Sequence, residues 1–247
     1  MATDGSVRYA RQVLIPGWGE ETQRRLAERH VFVAGAGGLG SPASIYLAAA
    51  GVGRLTVVDV DVVEASNLNR QILHDETRIG HGKAESARVT LERVNPHVRV
   101  VPRRMFIDES TVDDLVGDAD VVVDCMDNFP ARYVLNDCAI RKRVPFVFGS
   151  IWGLHGQLSV FQVPDTPCLR CVFRGAPPRE TFPVLGATPG VIGTWQALEA
   201  LKLLTGVGHP LKGGVLSWDG MESETETFRV VPDPECSSCS EVRRELR

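Results

Sequence analysis

Short apolar runs alternate with longer helical patterns over the first 150 residues of the chain. An irregular stretch, Arg8 to Trp18, leads into a helical pattern with Leu26 as its clearest apolar anchor. His30-Val31-Phe32-Val33-Ala34 is a short apolar run ending at glycine, the pattern of a buried parallel strand. Ser41 to Gly51 follows as a helix of small residues, able to pack close to a sheet. Arg54 to Asp59 is the next strand and ends in an acid. Lys83 to Val94 is an amphipathic helix with Ala84, Ala87, Leu91 and Val94 at helical spacing, closed by Pro96. Val98 to Val101 predicts a strand, Asp108 to Val116 a short helix, Ala119 to Asp124 a strand, Ala131 to Arg141 a helix and Pro145 to Phe148 a strand. This alternation predicts an α/β fold, a Rossmann-like, doubly wound and mostly parallel sheet.

The pattern changes after residue 150. Gly156 to Val163 has the look of an antiparallel strand, and Phe173 to Thr188 is a loop rich in proline and glycine. Gly190 to Leu204 predicts a helix with an apolar stripe of Ile192, Trp195, Leu198, Leu201 and Leu204. Val215 to Asp219 and Thr225 to Val231 predict closing antiparallel strands. No linker composition separates the halves. The expectation is one domain over 1–247, with a nucleotide-binding half at 7–150 and a carrier-binding and metal half at 151–247.

The junction between the first strand and the small-residue helix reads Gly35-x-Gly37-x-x-Gly40. Glycine permits the tight turn and lets backbone amides approach a phosphate at the positive end of a helix. Asp59 sits where an acid accepts hydrogen bonds from ribose hydroxyls. These features alone fit an NAD-dependent oxidoreductase. No Gly-x-x-x-x-Gly-Lys-Ser/Thr motif occurs, which disfavours the P-loop class. The loop after Asp59 carries Ser66-Asn67-Leu68-Asn69-Arg70-Gln71, Lys83 opens the next helix, and Asp127-Asn128 lies just past the fourth strand. Loops at the carboxyl ends of a doubly wound sheet meet over one crevice, so Arg70 and Lys83 can face a polyphosphate opposite Asp127. Adenylation needs such a set, because a carboxylate attacking an α-phosphate brings two anions together. A dehydrogenase leaves these three residues without a purpose.

Formal net charge is −4, so no basic excess points to nucleic acid, and no apolar stretch is long enough to span a membrane. Met1 to Val7 lacks the apolar run of a signal peptide, and a cytoplasmic protein is expected. Six cysteines are present. Cys168-x-x-Cys171 and Cys236-x-x-Cys239 supply four thiolates suited to a closed structural Zn²⁺ site, with a pair of redox dithiols as the alternative. Cys125 and Cys138 read as small buried hydrophobes.

RYARQ (Arg8 to Gln12), GAGGLG, GVGRLTVVD, SNLNRQ, Gly80-x-x-Lys83 and DCMDN (Asp124 to Asn128) occur in that order. In this set the chain resembles the ThiF/MoeB/HesA adenylyltransferases of molybdopterin and thiamine biosynthesis, relatives of the ubiquitin-activating enzymes. The resemblance runs from about residue 7 to the last cysteine. It implies that Asp59 holds the ribose of ATP, that Gly38, Asn67 and Arg70 line the ATP site with the rest of the motif (Ser66, Leu68, Asn69, Asn128), and that Lys83 contacts phosphate. It implies that Asp127 is the essential acid near Mg²⁺. It also implies that Arg11 reaches the neighbouring subunit's site, hence a homodimer. The expected reaction is adenylation of a small ubiquitin-like sulfur carrier ending in Gly-Gly. Many relatives carry a cysteine in the loop before Pro189-Gly190-Val191-Ile192-Gly193, but this chain has none between Cys171 and Cys236. A thioester on that loop is excluded, and sulfur is expected from a separate donor protein. A non-catalytic scaffold that binds a ubiquitin-like partner is the alternative from another class.

Overall fold

The computed structural model describes residues 5–176 and 183–245. Six of the sixteen residues of the Phe173 to Thr188 loop, including Arg179 to Phe182, lie outside these residues. After a short turn of helix, α1 (Gly5–Arg8), comes α2 (Gly19–Leu26), then β1 (His30–Ala34), α3 (Gly40–Ala50) and β2 (Arg54–Val58). The chain continues through α4 (Lys83–Val94), β3 (Arg99–Arg103), α5 (Val112–Val116), β4 (Val121–Asp124), α6 (Phe129–Lys142) and β5 (Phe146–Trp152). The remainder is β6 (His155–Phe161), α7 (Leu169–Val172), α8 (Ala187–Thr205), β7 (Gly214–Asp219), β8 (Glu224–Arg229) and α9 (Ser240–Glu245).

The strands form one eight-stranded sheet in the order β3-β2-β1-β4-β5-β6-β7-β8. β1 to β5 pair in parallel, and β5 to β8 pair antiparallel. The order reverses between β1 and β4, so the crevice of a doubly wound sheet opens at their carboxyl ends. Alternate residues of β1 go to opposite layers. Val31 and Val33 pack with Leu47, Leu91 and Ile192, and Phe32 and Ala34 pack with Leu115, Leu135 and Leu169. Both faces are covered, which is why β1 and β4 read as continuous apolar runs.

Several boundaries differ from those expected, each for a local reason. α5 starts at Val112 because the Asp108 carboxylate accepts from the Ser110 and Thr111 amides and holds 108–111 in a turn. α6 starts at Phe129 because the Asn128 side chain caps it, accepting from the Ala131 amide at 3.0 Å. β5 runs on to Trp152 because the β5–β6 hairpin pairs Trp152 with His155.

The expected stripe on α8 needs a larger correction. Its buried residues include Ile192, Gly193, Gln196, Ala197, Glu199 and Ala200, while Leu198 is 49 % exposed. α8 is pressed between α3 and the sheet. A Cβ on Gly193 would come 2.3 Å from the Leu39 carbonyl oxygen, so small residues face the contact and large apolar ones lie on the flanks. Gln196 survives burial because its Nε2 donates to the Asp124 carbonyl at 2.6 Å. Among the described residues no helix is long and apolar enough to cross a membrane.

Candidate functional site

The glycine turn joins β1 to α3 at the switch point. Gly35 has φ +98°, and a Cβ there would lie 2.8 Å from the Cys125 carbonyl oxygen. A Cβ on Gly40 would lie 1.9 Å from the Gly35 carbonyl oxygen. These two glycines are required by the fold itself. Gly37 and Gly38 are different. A Cβ on Gly37 would meet only Gln71 Nε2, at 3.7 Å, and one on Gly38 would touch Pro189 at 3.2 Å and Arg70 at 3.7 Å. The Gln71 side chain is buried and its Oε1 has no partner.

Asp59, one residue past β2, is tied to the turn. Its Oδ2 accepts from the Ala36 amide at 2.8 Å and its Oδ1 from the Asp61 amide at 2.9 Å. Burial pushes the Asp59 carboxyl above the usual range, and Lys83 and the two amides pull it back. Beneath the turn lies His74, which sequence reasoning missed. Its Nε2 is 2.9 Å from the Ala36 carbonyl oxygen and its Nδ1 is 2.8 Å from Ser86 Oγ. Burial pushes the His74 imidazole down to about 4, so it is neutral at pH 7, and the Ala36 contact is satisfied by an Nε2 proton. The Ala36 peptide is thus held on one side by Asp59 and on the other by His74.

Lys83 opens α4 and is buried, with its Nζ 3.1 Å from Asp61 Oδ2. Its ion-pair partner is therefore Asp61, a residue not singled out from sequence. Asn67 is buried in a single turn of 3₁₀ helix, Ala65–Asn67, where its Oδ1 accepts from the Glu64 amide at 3.1 Å. Arg70 donates to the Ser66 carbonyl at 2.9 Å and Asn69 Oδ1 at 2.8 Å, beside Gly38. Ser66 is exposed and donates to Glu64 Oε2 at 3.2 Å, and Leu68 is half-buried.

Asp127 is exposed on the β4–α6 loop, where Asn128 Nδ2 donates to it at 3.2 Å. Two residues earlier, Cys125 bonds Ala34 through its amide at 2.9 Å, so this loop leaves the sheet beside the glycine turn. Arg11 is exposed and forms no ion pair among the described residues. Nothing among the described residues brings it to the glycine turn.

Taken together, amides at a helix start and a buried lysine offer donors for phosphate oxygens, and an acid at the next strand end offers an acceptor for ribose hydroxyls, a set that fits a nucleoside triphosphate.

The four paired cysteines converge at the other end of the molecule. Their sulfurs lie within 4.8 Å of one another, with Cys168–Cys236 and Cys171–Cys239 at 3.5 Å and Cys168–Cys171 at 3.8 Å. A tetrahedral Zn²⁺ with bonds of about 2.3 Å sets its sulfurs about 3.8 Å apart, so the donor set fits that ion. Cys125 and Cys138 are buried, and burial raises both thiols.

A glycine turn at the switch point of a doubly wound sheet is the architecture of a nucleotide-binding α/β protein. The chain belongs to the ThiF family, whose profile matches residues 9–238. It is 46% identical over 240 residues to the SAMP-activating enzyme E1 of Haloferax volcanii, covering 95% of this chain and 88% of that one. It is 42% identical over 253 residues to adenylyltransferase and sulfurtransferase MOCS3-1 of Zea mays, covering 97% of this chain and 54% of the relative. The Mus musculus MOCS3 is 44% identical over 248 residues, with 98% and 54% covered. The chain thus spans about half the length of these MOCS3 relatives. In fold it matches E. coli MccB with ATP at a TM-score of 0.84 and 23% identity, covering 94% of this chain and 74% of that one. The E. coli MccB complex with MccA-N7isoASN gives 0.86 at 21% identity, covering 97% and 76%.

Proposed function

We propose that this chain uses ATP to adenylate the C-terminal Gly-Gly carboxylate of a small ubiquitin-like sulfur carrier. The observation that carries the reading is the set of contacts at the glycine turn: Asp59 accepts from the Ala36 amide, Arg70 lies beside Gly38, Lys83 lowers the Asp59 carboxyl, and the Asp127 loop leaves the sheet at Cys125, which bonds Ala34. A carboxylate oxygen of the carrier attacks the α-phosphorus. The bond from that phosphorus to the bridging oxygen breaks, pyrophosphate leaves, and an acyl-adenylate remains. Asp59 holds the ribose, and Gly35, Gly37, Gly38, Gly40, Asn67 and Asn69 shape the walls. Arg70 and Lys83 neutralise phosphate charge that grows on the leaving group. Asp127 would hold Mg²⁺ with Asn128 beside it, and that ion supplies charge neutralisation between the phosphates. Arg11 acts in the crevice of a second subunit, which makes the working form a homodimer.

The 151–247 half receives the carrier. A cavity of about 390 Å³ lined by Trp152, Leu154, His155, Val184, Leu185 and Met221 supports this, because exposed apolar side chains there can take a partner's apolar face. Hydrogen bonds link the cavity wall to the segment that touches the glycine turn. Gly153 bonds Pro183 at 2.8 Å, and Thr188 donates to the Gly153 carbonyl at 2.8 Å, one residue before Pro189 at Gly38. Four of the six cysteines form the metal cluster and the other two are buried, so no thiol is offered for a thioester. A sulfide-level sulfur from a separate donor protein would attack the acyl carbon, the C–O bond to AMP would break and AMP would leave, giving a thiocarboxylate for molybdopterin, thiamine or related synthesis.

ATP–pyrophosphate exchange with Mg²⁺ and a panel of carriers ending in Gly-Gly tests this. Carrier-dependent exchange is expected, with Asp127→Ala and Arg70→Ala each lowering it by about 10²-fold or more. ATP binding without exchange for any carrier would favour a non-catalytic scaffold, and NAD binding in place of ATP would overturn the reading.

A further inference from the structure

Asp127 makes almost no contacts of its own, yet the residue before it is held more firmly than any other on its loop. The Met126 amide donates to Asp124 Oδ1 at 3.0 Å. The Met126 carbonyl accepts from Arg132 Nε at 3.2 Å and from Arg132 Nη2. The same Nη2 donates to the Gly149 carbonyl on β5 at 2.9 Å. Asp124 and Arg132 are themselves a buried pair, 0 % and 4 % exposed, with Nε 3.7 Å from Oδ2. The guanidinium lies over the Phe148 ring at 4.8 Å and near the Phe129 ring at 5.4 Å. On the other side of Asp127, Asn128 is fixed as the cap of α6.

The adenylation chemistry proposed above asks nothing of this pair, and burying it is expensive. Asp124 Oδ2 and Arg132 Nη1 have no hydrogen-bond partner, so the desolvation of both charges is incompletely offset. An apolar pair of equal volume would avoid that cost but would leave the Met126 and Gly149 carbonyls without these donors. The ion pair supplies an acceptor for the Met126 amide and donors for the Met126 carbonyl and, on β5, the Gly149 carbonyl.

We infer that Arg132, backed by Asp124, is the positioning residue that fixes the Met126–Asp127 backbone and so aims the Asp127 carboxylate into the crevice. This rests on the proposed function for its consequence but not for its geometry. Arginine is required because one planar group must reach two carbonyls from different elements, which a lysine ammonium cannot do in the same plane. Misplacing a catalytic group by about 1 Å costs about 10²-fold in rate, so the clamp is felt in turnover rather than in nucleotide affinity.

The test compares wild type, Arg132→Lys and the near-isosteric Asp124→Asn by hydrogen–deuterium exchange and by pyrophosphate exchange. In Arg132→Lys, amides of 126–131 should exchange about tenfold faster, with β1 and α3 unchanged. Its kcat should fall about 10²-fold while KM for ATP stays within about threefold. Combining Arg132→Lys with Asp127→Asn should give no loss beyond Asp127→Asn alone. Asp124→Asn keeps the acceptor for Met126 and should show the same loop effect in smaller degree. Loop protection equal to wild type in both variants, acceleration spread over the whole sheet, or losses that add in the double variant would each overturn the inference. Wild type inert in pyrophosphate exchange would overturn the proposed reaction instead, and loop protection would still decide the role of Arg132.

Discussion

His74 shows how much a single buried side chain can contribute to a phosphate turn without touching a ligand. It bridges Ser86 on α4 and the Ala36 carbonyl in the turn, and it does so as a neutral imidazole. Its pKa is about 4 in the folded chain against 6.5 when exposed, because burial and then the charges of Lys83 and Arg78 disfavour the imidazolium. Between those values the unfolded chain binds more protons than the folded one. The stability that His74 contributes is therefore complete above pH 6.5 and lost as pH falls through about 4. The whole window is worth about 3 kcal/mol. Denaturant unfolding at pH 7.0 and about pH 4.5 should show a drop in wild type that is much smaller in His74→Gln. Equal drops would mean that other groups carry the acid sensitivity. In sequence His74 carried no signal, since a histidine after Leu73 has the same appearance whether it is exposed or wedged under a turn. Asp59 and Lys83 stood out because an acid at a strand end and a lysine at a helix start have defined places in a doubly wound sheet. The Asp61 partner of Lys83 and the Asp124–Arg132 clamp depend on distances that no spacing reveals.

At the scale of elements, the β1–α3 turn separates two roles that one glycine motif merges. Gly40→Ala would press a methyl into the Gly35 carbonyl, where backbone cannot give way. Its cost is about 3 kcal/mol or more, a fall in Tm of roughly 10 °C. Gly37→Ala meets only the end of a glutamine side chain at an ordinary distance. It should melt within about 2 °C of wild type yet bind ATP at least about tenfold more weakly, because the methyl fills the space where backbone amides meet phosphate. Thermal melts with and without ATP separate the cases, and a Gly37→Ala protein with unchanged ATP affinity would move the phosphate away from this turn. The elements themselves were largely legible. β1, β2 and β4 are apolar runs of strand length, and α4 repeats its alanines and leucine at helical spacing. α8 was legible as a helix and in part as to its buried face: Ile192 is in the core and Trp195, Leu201 and Leu204 pack against it, while Leu198 is exposed. Its close contact with α3 favours Gly193, Ala197 and Ala200 over the leucines that hydropathy selects, and Gln196 is buried because it serves backbone carbonyls.

The whole molecule is closed by its cysteine cluster. Cys236 lies 68 residues beyond Cys168, so the cluster ties the segment after β8 and helix α9 back to α7. Little else holds that segment. Among the described residues α9 has no buried residue, although Val242 packs on the cysteines, and β8 is exposed along its length where it pairs with β7; the further ties include Arg243 to the Pro164 carbonyl at 2.6 Å, Arg174 to Asp233 at 3.1 Å, the Asp233 amide to Cys171 Sγ at 3.4 Å and the Val230 amide to the Gly213 carbonyl at 3.1 Å. A bound Zn²⁺ would therefore supply stability that burial does not, by fixing four sulfurs across a long loop. The cluster packs on Ile140 near the end of α6, while Asp127 precedes the start of that helix. Twelve residues of helix between Asn128 and Ile140 put about 18 Å between the two ends. Metal loss should thus loosen the carboxyl-terminal segment without disturbing the crevice. Mass spectrometry under native conditions should find one Zn²⁺ per chain in wild type and none in Cys236→Ser. The variant should melt several degrees lower and be clipped by protease beyond residue 230, while its affinity for ATP stays within about twofold of wild type. A fall in ATP affinity parallel to the fall in Tm would mean that the cluster and the nucleotide crevice unfold as one cooperative unit, and that the cysteines act on the site through α6 rather than on the tail alone.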